Sequence, residues 1–116
     1  MAKYDQEKMN NEILSYDTRN DILFIHKGFS SDEKFNGNLD IGDLILDMST
    51  KNSIRGIEIM NACKFFKVFN ITEEILENLT GVEFTAQMQQ NGVIISLIFK
   101  SLNKEIPAKI AVPLEN

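Results

Sequence analysis

The chain contains one histidine, His26, which ends an apolar run beside Lys27 and Gly28. An imidazole titrates near neutral pH and can act as a general acid or base. Catalytic triads place a nucleophile and a carboxylate around such a histidine, and no spacing of that kind is recognisable here. Zinc requires three or four ligands, which one histidine and one distant cysteine do not supply. We therefore predict neither a catalytic nor a metal-binding role for His26.

The single cysteine, Cys63, lies at the start of a helical pattern, where the helix dipole can lower the pKa of a thiol. Its neighbours Ala62 and Phe66 favour burial instead, because free cysteine is among the most buried residue types. We prefer burial to reactivity for Cys63. One cysteine cannot form an intramolecular disulfide, and this favours a reducing, cytoplasmic location.

Four acidic residues, Asp40, Asp43, Asp47 and Glu58, are concentrated on one predicted hairpin and its approach. Oxygen clusters can bind Ca²⁺ or Mg²⁺, but the sequence has no Asp-x-Asp-x-Asp loop. A solvated face is therefore preferred to a metal site. We predict no catalytic, cofactor-binding or metal-binding residues. If the protein has an activity, the candidates to carry it are His26, Asp47, Glu58 and Cys63.

Composition excludes several classes of protein. The chain has 116 residues, of which 43% are hydrophobic and 25% are charged, and its net charge is −5. The negative charge disfavours nucleic acid and anionic lipid as partners. The longest apolar run, residues 93–99, is far shorter than the roughly 20 residues that span a bilayer. Residues 1–11 read as a flexible tail without a signal-peptide pattern, and residues 12–116 as a single globular domain.

Two hairpins are predicted in the first half of the chain. β-Branched and aromatic residues suit strands, whereas Asp and Asn favour the turns between them. The intervening residues 28–42 are polar and contain three glycines, so we read them mainly as a surface loop, with at most a short strand near residues 35–39. The predicted strands of the two hairpins are residues 13–16, 22–26, 43–48 and 54–60.

The second hairpin also predicts an ion pair. If Met48 lies opposite Ile54, then Asp47 faces Arg55 across the ladder, where opposite charges stabilise strand pairing. This pair would help to fix the register, because a slip of one residue moves every side chain to the other face.

A short two-helix insert is predicted over residues 61–80. Its second helix, residues 71–80, is expected to begin at the N-cap Asn70 and to stop at Gly81. Its first helix is indicated by an apolar stripe at i, i+3, i+4 and i+7. The stripe consists of Ala62, Phe65, Phe66 and Phe69.

The last third of the chain predicts a β-meander over residues 82–112. Asn91-Gly92 is a strong hairpin signal, and Pro107 and Pro113 place the last strand at a sheet edge, since proline cannot donate to the ladder. The fold class is therefore α+β, mostly β. Two antiparallel hairpin or meander units, residues 12–60 and 82–112, flank the two-helix insert.

Residues 16–65 resemble a family of small proteins known as domain of unknown function 2283. The resemblance is carried by Tyr16-Asp17, by residues 21–25 and 44–47, and most specifically by the run Ile-Arg-Gly-Ile-Glu-Ile-Met-Asn-Ala at residues 54–62. It implies a small β-rich domain with no established activity. Because members of this family look to be neighbours of genes for small ribonuclease toxins, it also implies an antitoxin-like role.

Three classes of function follow. We prefer a non-catalytic protein-binding or oligomeric module. The alternatives are an antitoxin-like partner of a small ribonuclease toxin, and a small hydrolase that uses Asp47, Glu58 or His26. No Gly-rich phosphate loop or Gly-x-Ser-x-Gly motif supports an enzyme. The strand at residues 93–99 is apolar on both faces, and the helical insert can cover only one of them. The other face must be covered by the N-terminal hairpins or by a second copy of the chain, and we predict the second copy, as a homodimer.

Overall fold

The computed structural model describes residues 13–114. Within this range, eight strands form two antiparallel sheets. This confirms the predicted α+β, mostly β class; the predicted tail, residues 1–11, lies outside the described residues. The strands are β1 (Ile13–Asp17), β2 (Ile22–His26), β3 (Phe35–Ile41), β4 (Leu44–Ser49), β5 (Ile54–Met60), β6 (Leu79–Gln89), β7 (Gly92–Ser101) and β8 (Lys104–Pro113).

The first five strands form one sheet in the order β1-β2-β5-β4-β3. Strand β5 is central, and its Ile57 lies opposite Ile25 on one side and Leu46 on the other. Successive side chains of a strand point to opposite faces, so the alternating apolar residues of these strands share one face. On the central strands β2, β5 and β4 the apolar residues of that face are buried, whereas on the edge strands β1 and β3 they are half-buried or exposed.

The last three strands form the second sheet, in the order β6-β7-β8. Every second residue of β7 is buried, with Ile95 and Leu97 only 0–1% exposed, whereas Ile94 and Ile98 on the other face are half-buried. Strand β8 lies at an edge, as Pro107 predicted. The buried residues of both sheets and of the helical segment form one hydrophobic core. One face of β7 is thus covered by the chain itself.

The turn between β6 and β7 differs by one residue from the prediction. Gln89 lies opposite Gly92, so the two turn residues are Gln90 and Asn91. A glycine is needed at Gly92 because a Cβ there would lie 2.6 Å from the backbone oxygen of Val112. The glycine therefore serves close strand packing and does not adopt a positive φ.

The helical segment contains α1 (Ala62–Phe66), a 3₁₀ turn (Lys67–Phe69) and α2 (Glu73–Glu77). The first predicted helix is confirmed, with its last turn tightened to 3₁₀. Phe66 is fully buried and contacts Phe99 of β7 edge to face, with ring centroids 5.1 Å apart. The helical segment therefore joins the two sheets. None of the helices in residues 13–114 is long and apolar enough to cross a membrane.

The second helix is shorter than predicted and begins later. Thr72, not Asn70, is its N-cap, and the Thr72 hydroxyl accepts a hydrogen bond from the backbone N–H of Ile75 at 3.3 Å. Asn70 instead adopts a left-handed conformation with φ 60°. Leu79 already belongs to β6, where it lies opposite Ser101. Strand pairing outweighs the helical pattern over the last residues of the predicted helix.

The short strand predicted near residues 35–39 is present as β3, which extends to Ile41 and pairs with β4. The sequence indicates it only weakly because most of its side chains are exposed. The backbone hydrogen bonds to β4 stabilise it at the sheet edge.

The buried face of β7 gives a first prediction. Leu97→Ala should lower the free energy of unfolding by about 3 kcal/mol, because it removes a buried side chain and leaves a cavity. Ile98→Ala, on the half-buried face of the same strand, should cost about 1 kcal/mol. Urea unfolding of the two variants measures the difference, and equal losses would show that β7 is covered equally on both sides.

Candidate functional site

The outer face of the five-stranded sheet carries a row of four residues, one on each of four neighbouring strands. His26 of β2 lies opposite Gly56 of β5, Gly56 lies opposite Asp47 of β4, and Asp47 lies opposite Asn38 of β3. They face away from the core because the adjacent Ile57 of β5 points into it. This row brings together His26 and Asp47, two of the four candidate residues.

The predicted ion pair between Asp47 and Arg55 is wrong. Met48 lies opposite Ile54 as expected, but the register shifts between Asp47 and Met48, so that Asp47 lies opposite Gly56. Such a bulge inserts one residue in the ladder and redirects the side chains beyond it. Asp47 consequently meets His26, while Arg55 forms a different ion pair.

His26 has partners at both ring nitrogens. Its Nδ1 accepts a hydrogen bond from the backbone N–H of Gly28 at 2.7 Å, so the proton of the neutral ring lies on Nε2. Nε2 is 3.6 Å from Oδ2 of Asp47, and the two side chains are 10% and 19% exposed. The side-chain amide of Asn38 donates to the other oxygen of Asp47. Asp47 therefore lies between His26 and Asn38 and connects them through polar contacts on the outer face of the sheet.

The ring of His26 lies directly on the backbone of Gly56. A Cβ added to Gly56 would be 2.4 Å from Cδ2 of His26 and 3.0 Å from Oδ2 of Asp47. Aromatic rings enclose the imidazole further: Phe24 lies 6.1 Å away, and Phe29 meets it edge to face at 5.0 Å. Glycine at residue 56 thus makes room for the ring.

The surroundings of His26 favour its neutral form. Burial lowers the pKa of His26 below its ordinary value, and the neighbouring charge of Arg55 lowers it further, while Asp47 acts in the opposite direction. The net pKa shift is downward because desolvation of the charged imidazole outweighs the attraction of Asp47.

This geometry holds the imidazole in place and leaves its unprotonated nitrogen unavailable to a substrate. A general base needs an unprotonated nitrogen within hydrogen-bond reach of the reacting group, and the unprotonated Nδ1 of His26 is occupied by Gly28. The third candidate, Glu58, shares the outer face and lies opposite Phe24 and Ile45. Among residues 13–114, no group of three His, Cys, Asp or Glu side chains has the spacing of a metal site.

The fourth candidate, Cys63, belongs to a separate cluster with Tyr16 and Asp21. The Tyr16 hydroxyl donates to Asp21 Oδ1 at 2.6 Å and lies 3.3 Å from the Cys63 sulfur. The carboxylate of Asp21 accepts the backbone N–H of Cys63 at 3.1 Å, which caps the start of α1. Sequence reasoning missed Asp21, whose only local signal is its place in a turn.

Cys63 does not have the electrostatics of a reactive thiol. It is half-buried, and burial raises the pKa of the thiol, as do the hydrogen bond and the negative charge of Asp21. Burial also raises the pKa of Tyr16, and Asp21 adds to that increase. The carboxylate that caps the helix therefore opposes the effect of the helix terminus on the sulfur.

A shallow cleft of about 240 Å³ lies where β1 approaches α2 and the start of β6. Leu14, Tyr16 and Thr18 line it on one side, and α2 and β6 line it on the other. Sequence reasoning missed this cleft because its walls are about 60 residues apart in the chain. The walls on the helical side are Leu76, Glu77 and Leu79.

Two antiparallel sheets around one core define a small β-rich protein. Residues 13–62 match the family described as protein of unknown function (DUF2283). This confirms the resemblance found in the sequence. The matched segment includes all five strands of the first sheet and ends at the start of α1, so the second sheet lies outside it.

Two archaeal relatives are similar over most of the chain. An uncharacterised protein of Methanocaldococcus jannaschii is 29% identical over 84 residues, which are 72% of this chain and 68% of the relative. A Methanosarcina mazei protein named "Putative hypoxanthine phosphoribosyltransferase" is 28% identical over 89 residues, or 77% of this chain and 67% of that protein. No solved structure matches the chain.

The close approach of His26 to Gly56 predicts that an added methyl group destabilises the protein more at residue 56 than at another strand glycine. Gly56→Ala should lower the free energy of unfolding by about 2 kcal/mol through overpacking against His26. Gly81→Ala is the matched control, since it is also a strand glycine but the nearest atom to its added Cβ is 3.9 Å away. Urea unfolding should show little loss in the control. The same Gly56→Ala change made in a His26→Ala protein should cost much less, and an undiminished cost would refute the contact.

The raised pKa of Cys63 predicts slow modification. Native protein at pH 7 should react with a thiol reagent more slowly than the urea-unfolded chain, because the folded thiol carries less thiolate. The reaction rate as a function of pH should give a pKa above that of the unfolded chain. A folded pKa below the unfolded one would make Cys63 a candidate nucleophile.

Proposed function

We propose that the protein is a non-catalytic binding module that forms a homodimer by pairing its edge strand β1 with β1 of a second copy. The observation that supports this most directly is the exposure of β1, whose Ile13 and Leu14 are 49% and 36% exposed. An unpaired edge strand presents backbone donors and acceptors that another strand can satisfy.

The other edge strands of the described sheets carry features that discourage pairing. Strand β8 contains Pro107 and Pro113, which lack the N–H that a ladder requires. Strand β3 is interrupted by a register shift between Phe35 and Asn38, and β6 has a register shift at its start, between Leu79 and Gly81. Such shifts bend an edge away from a regular partner. Strand β1 has a regular register and contains neither proline nor lysine. It is the edge best suited to receive a strand.

The sequence of β1 is complementary to itself. In an antiparallel pair centred on Ser15, Leu14 of each copy would lie opposite Tyr16 of the other. Cross-strand pairs of an aromatic and an aliphatic residue stabilise a sheet. A two-fold axis would make this contact twice, as closed dimers do. Two copies of this chain are therefore enough to form the favourable pairing.

The cleft beside β1 also supports β1 as the edge at which the two copies pair. Leu14 and Tyr16 line it from β1, and Leu76 and Leu79 face them from α2 and β6. A strand added to β1 would place its own Leu and Tyr side chains at the mouth of this cleft. Pairing would then bury apolar surface as well as forming backbone hydrogen bonds, which a stable association requires.

Catalytic functions have less support. The unprotonated nitrogen of His26 accepts from the Gly28 N–H, which disfavours a hydrolase built on His26 and Asp47. The transferase activity in the name of the Methanosarcina relative requires a phosphate-binding site. The six glycines of this chain are widely separated, so no glycine-rich loop is available to bind a phosphate. We do not extend that activity to this protein.

The dimer is tested by light scattering after size-exclusion chromatography over a roughly hundredfold range of protein concentration. The wild-type protein should approach twice the 13.2 kDa mass of one chain as concentration rises. Leu14→Lys should stay monomeric, because it places a charge where apolar contact is expected. Val68→Lys is the control, since Val68 is 82% exposed and lies on the 3₁₀ turn.

Two outcomes would contradict the proposal. A wild-type mass of 13.2 kDa throughout would exclude the homodimer and leave a partner of another sequence, such as a toxin, as the occupant of the edge. A Leu14→Lys protein that still dimerises, with a melting temperature like that of the control, would show that the interface lies elsewhere.

A further inference from the structure

A loop of residues 27–34 follows β2 and is held at its start by His26. The Gly28 N–H donates to Nδ1 of His26 at 2.7 Å, and the Gly28 carbonyl accepts from Nε of Arg55 at 2.7 Å. Phe29 packs edge to face against the imidazole. Both backbone polar groups of Gly28 are thus bound to side chains of the sheet.

The far end of the loop is held by a separate contact. Glu33 lies 3.2 Å from Nε of Arg55, and its side chain is only 4% exposed. Its carboxylate also accepts hydrogen bonds from the Ser30 backbone and the Ser53 hydroxyl. A buried carboxylate needs such partners to remain charged. Because none of these contacts involves the imidazole, they persist when His26 changes its charge.

Protonation of His26 is incompatible with the contact at Gly28. The added proton would lie on Nδ1, and Nδ1 would then be a donor that faces the donor N–H of Gly28. The hydrogen bond would be replaced by a repulsive contact. At the same time the cationic ring would be attracted to Asp47 through Nε2, which is already 3.6 Å from the carboxylate.

The ring has little freedom to avoid this conflict by moving. It lies on Gly56, where even a single added carbon would be 2.4 Å from Cδ2, and Asp47 holds its far side. The loop has more freedom, since Gly28 adopts φ 80°, a conformation available to glycine at little cost. The element that yields on protonation is therefore the loop.

The charged groups near the imidazole come from each element that packs against it. Strand β4 contributes Asp47, and strand β5 contributes Arg55. Strand β5 also contributes Glu58, which lies two residues beyond Gly56 on the same face of the sheet. The loop contributes Glu33, which is paired with Arg55. Strand β3 contributes the neutral Asn38, which donates to Asp47. Asp47 is therefore the carboxylate that lies nearest to Nε2 of His26, at 3.6 Å.

We propose that His26 is a proton-controlled latch for residues 27–34, which neutral His26 holds through the Gly28 N–H and protonated His26 releases. The loop should be closed at neutral pH and should open at its Gly28 end as the pH falls. The downward pKa shift of His26 agrees with this direction, because loss of a contact on protonation favours the neutral ring.

The latch is tested on the wild-type protein by nuclear magnetic resonance between pH 8 and pH 5. The imidazole carbon resonances give the pKa of His26, which should lie below the ordinary value of 6.5. The protection factor of the Gly28 amide against hydrogen exchange should fall roughly tenfold at the same midpoint. Use of protection factors removes the pH dependence of intrinsic exchange. The Asn52 amide, which donates to Ser49 outside this loop, is the internal control.

A His26→Gln protein provides a second test, because glutamine can accept from Gly28 but does not titrate in this range. Its Gly28 protection should be independent of pH. Gly28 protection that shows no step at the midpoint of His26 in the wild-type protein would overturn the proposal. A step that persists in a folded His26→Gln protein would assign the effect to another group.

Discussion

The burial of one face of β5 is the constraint on which the first sheet depends. Ile57 and Ile59 are fully buried, and β5 is the strand against which β2 and β4 both set their register. If the register slipped by one residue, these isoleucine side chains would point into solvent and the core would lose them. With that face fixed, Gly56 and Glu58 point outward by alternation. The position of the outer row is thus a consequence of packing on the opposite side of the same strand.

A bulge then decides which charges meet. The register shift between Asp47 and Met48 brings Asp47 to Gly56, where it meets His26. Arg55 is left to reach the loop, where it neutralises the buried Glu33 and binds the Gly28 carbonyl. In an unshifted ladder, Asp47 would compete with Glu33 for the same guanidinium. The shift therefore gives each carboxylate its own cation or donor, which buried charges require.

Local patterns predicted the strands whose faces are sharply divided between core and solvent, such as β2 and β5, and the apolar stripe of α1. They failed where stability comes from distant residues. The end of α2 is set by pairing of Leu79 with Ser101, and the bulge at Asp47 leaves no trace in composition. Strand β3 is predicted only in part, as a short strand within a loop, because most of its side chains are exposed. In the candidate site, too, the sequence predicts individual residues but not the contacts between distant ones. The sequence indicated His26 and Asp47 separately, but only the register of three strands places them together.

The position of the proton on His26 separates a structural histidine from a catalytic one. In a catalytic pair, the carboxylate binds the protonated nitrogen and the free nitrogen faces the substrate. Here the carboxylate of Asp47 also faces the protonated nitrogen, but the free nitrogen is capped by a backbone N–H. A change in protonation of Nδ1 therefore acts on the backbone of Gly28 and not on a substrate. The same carboxylate–imidazole pair that supports chemistry elsewhere is coupled in this fold to the conformation of a loop.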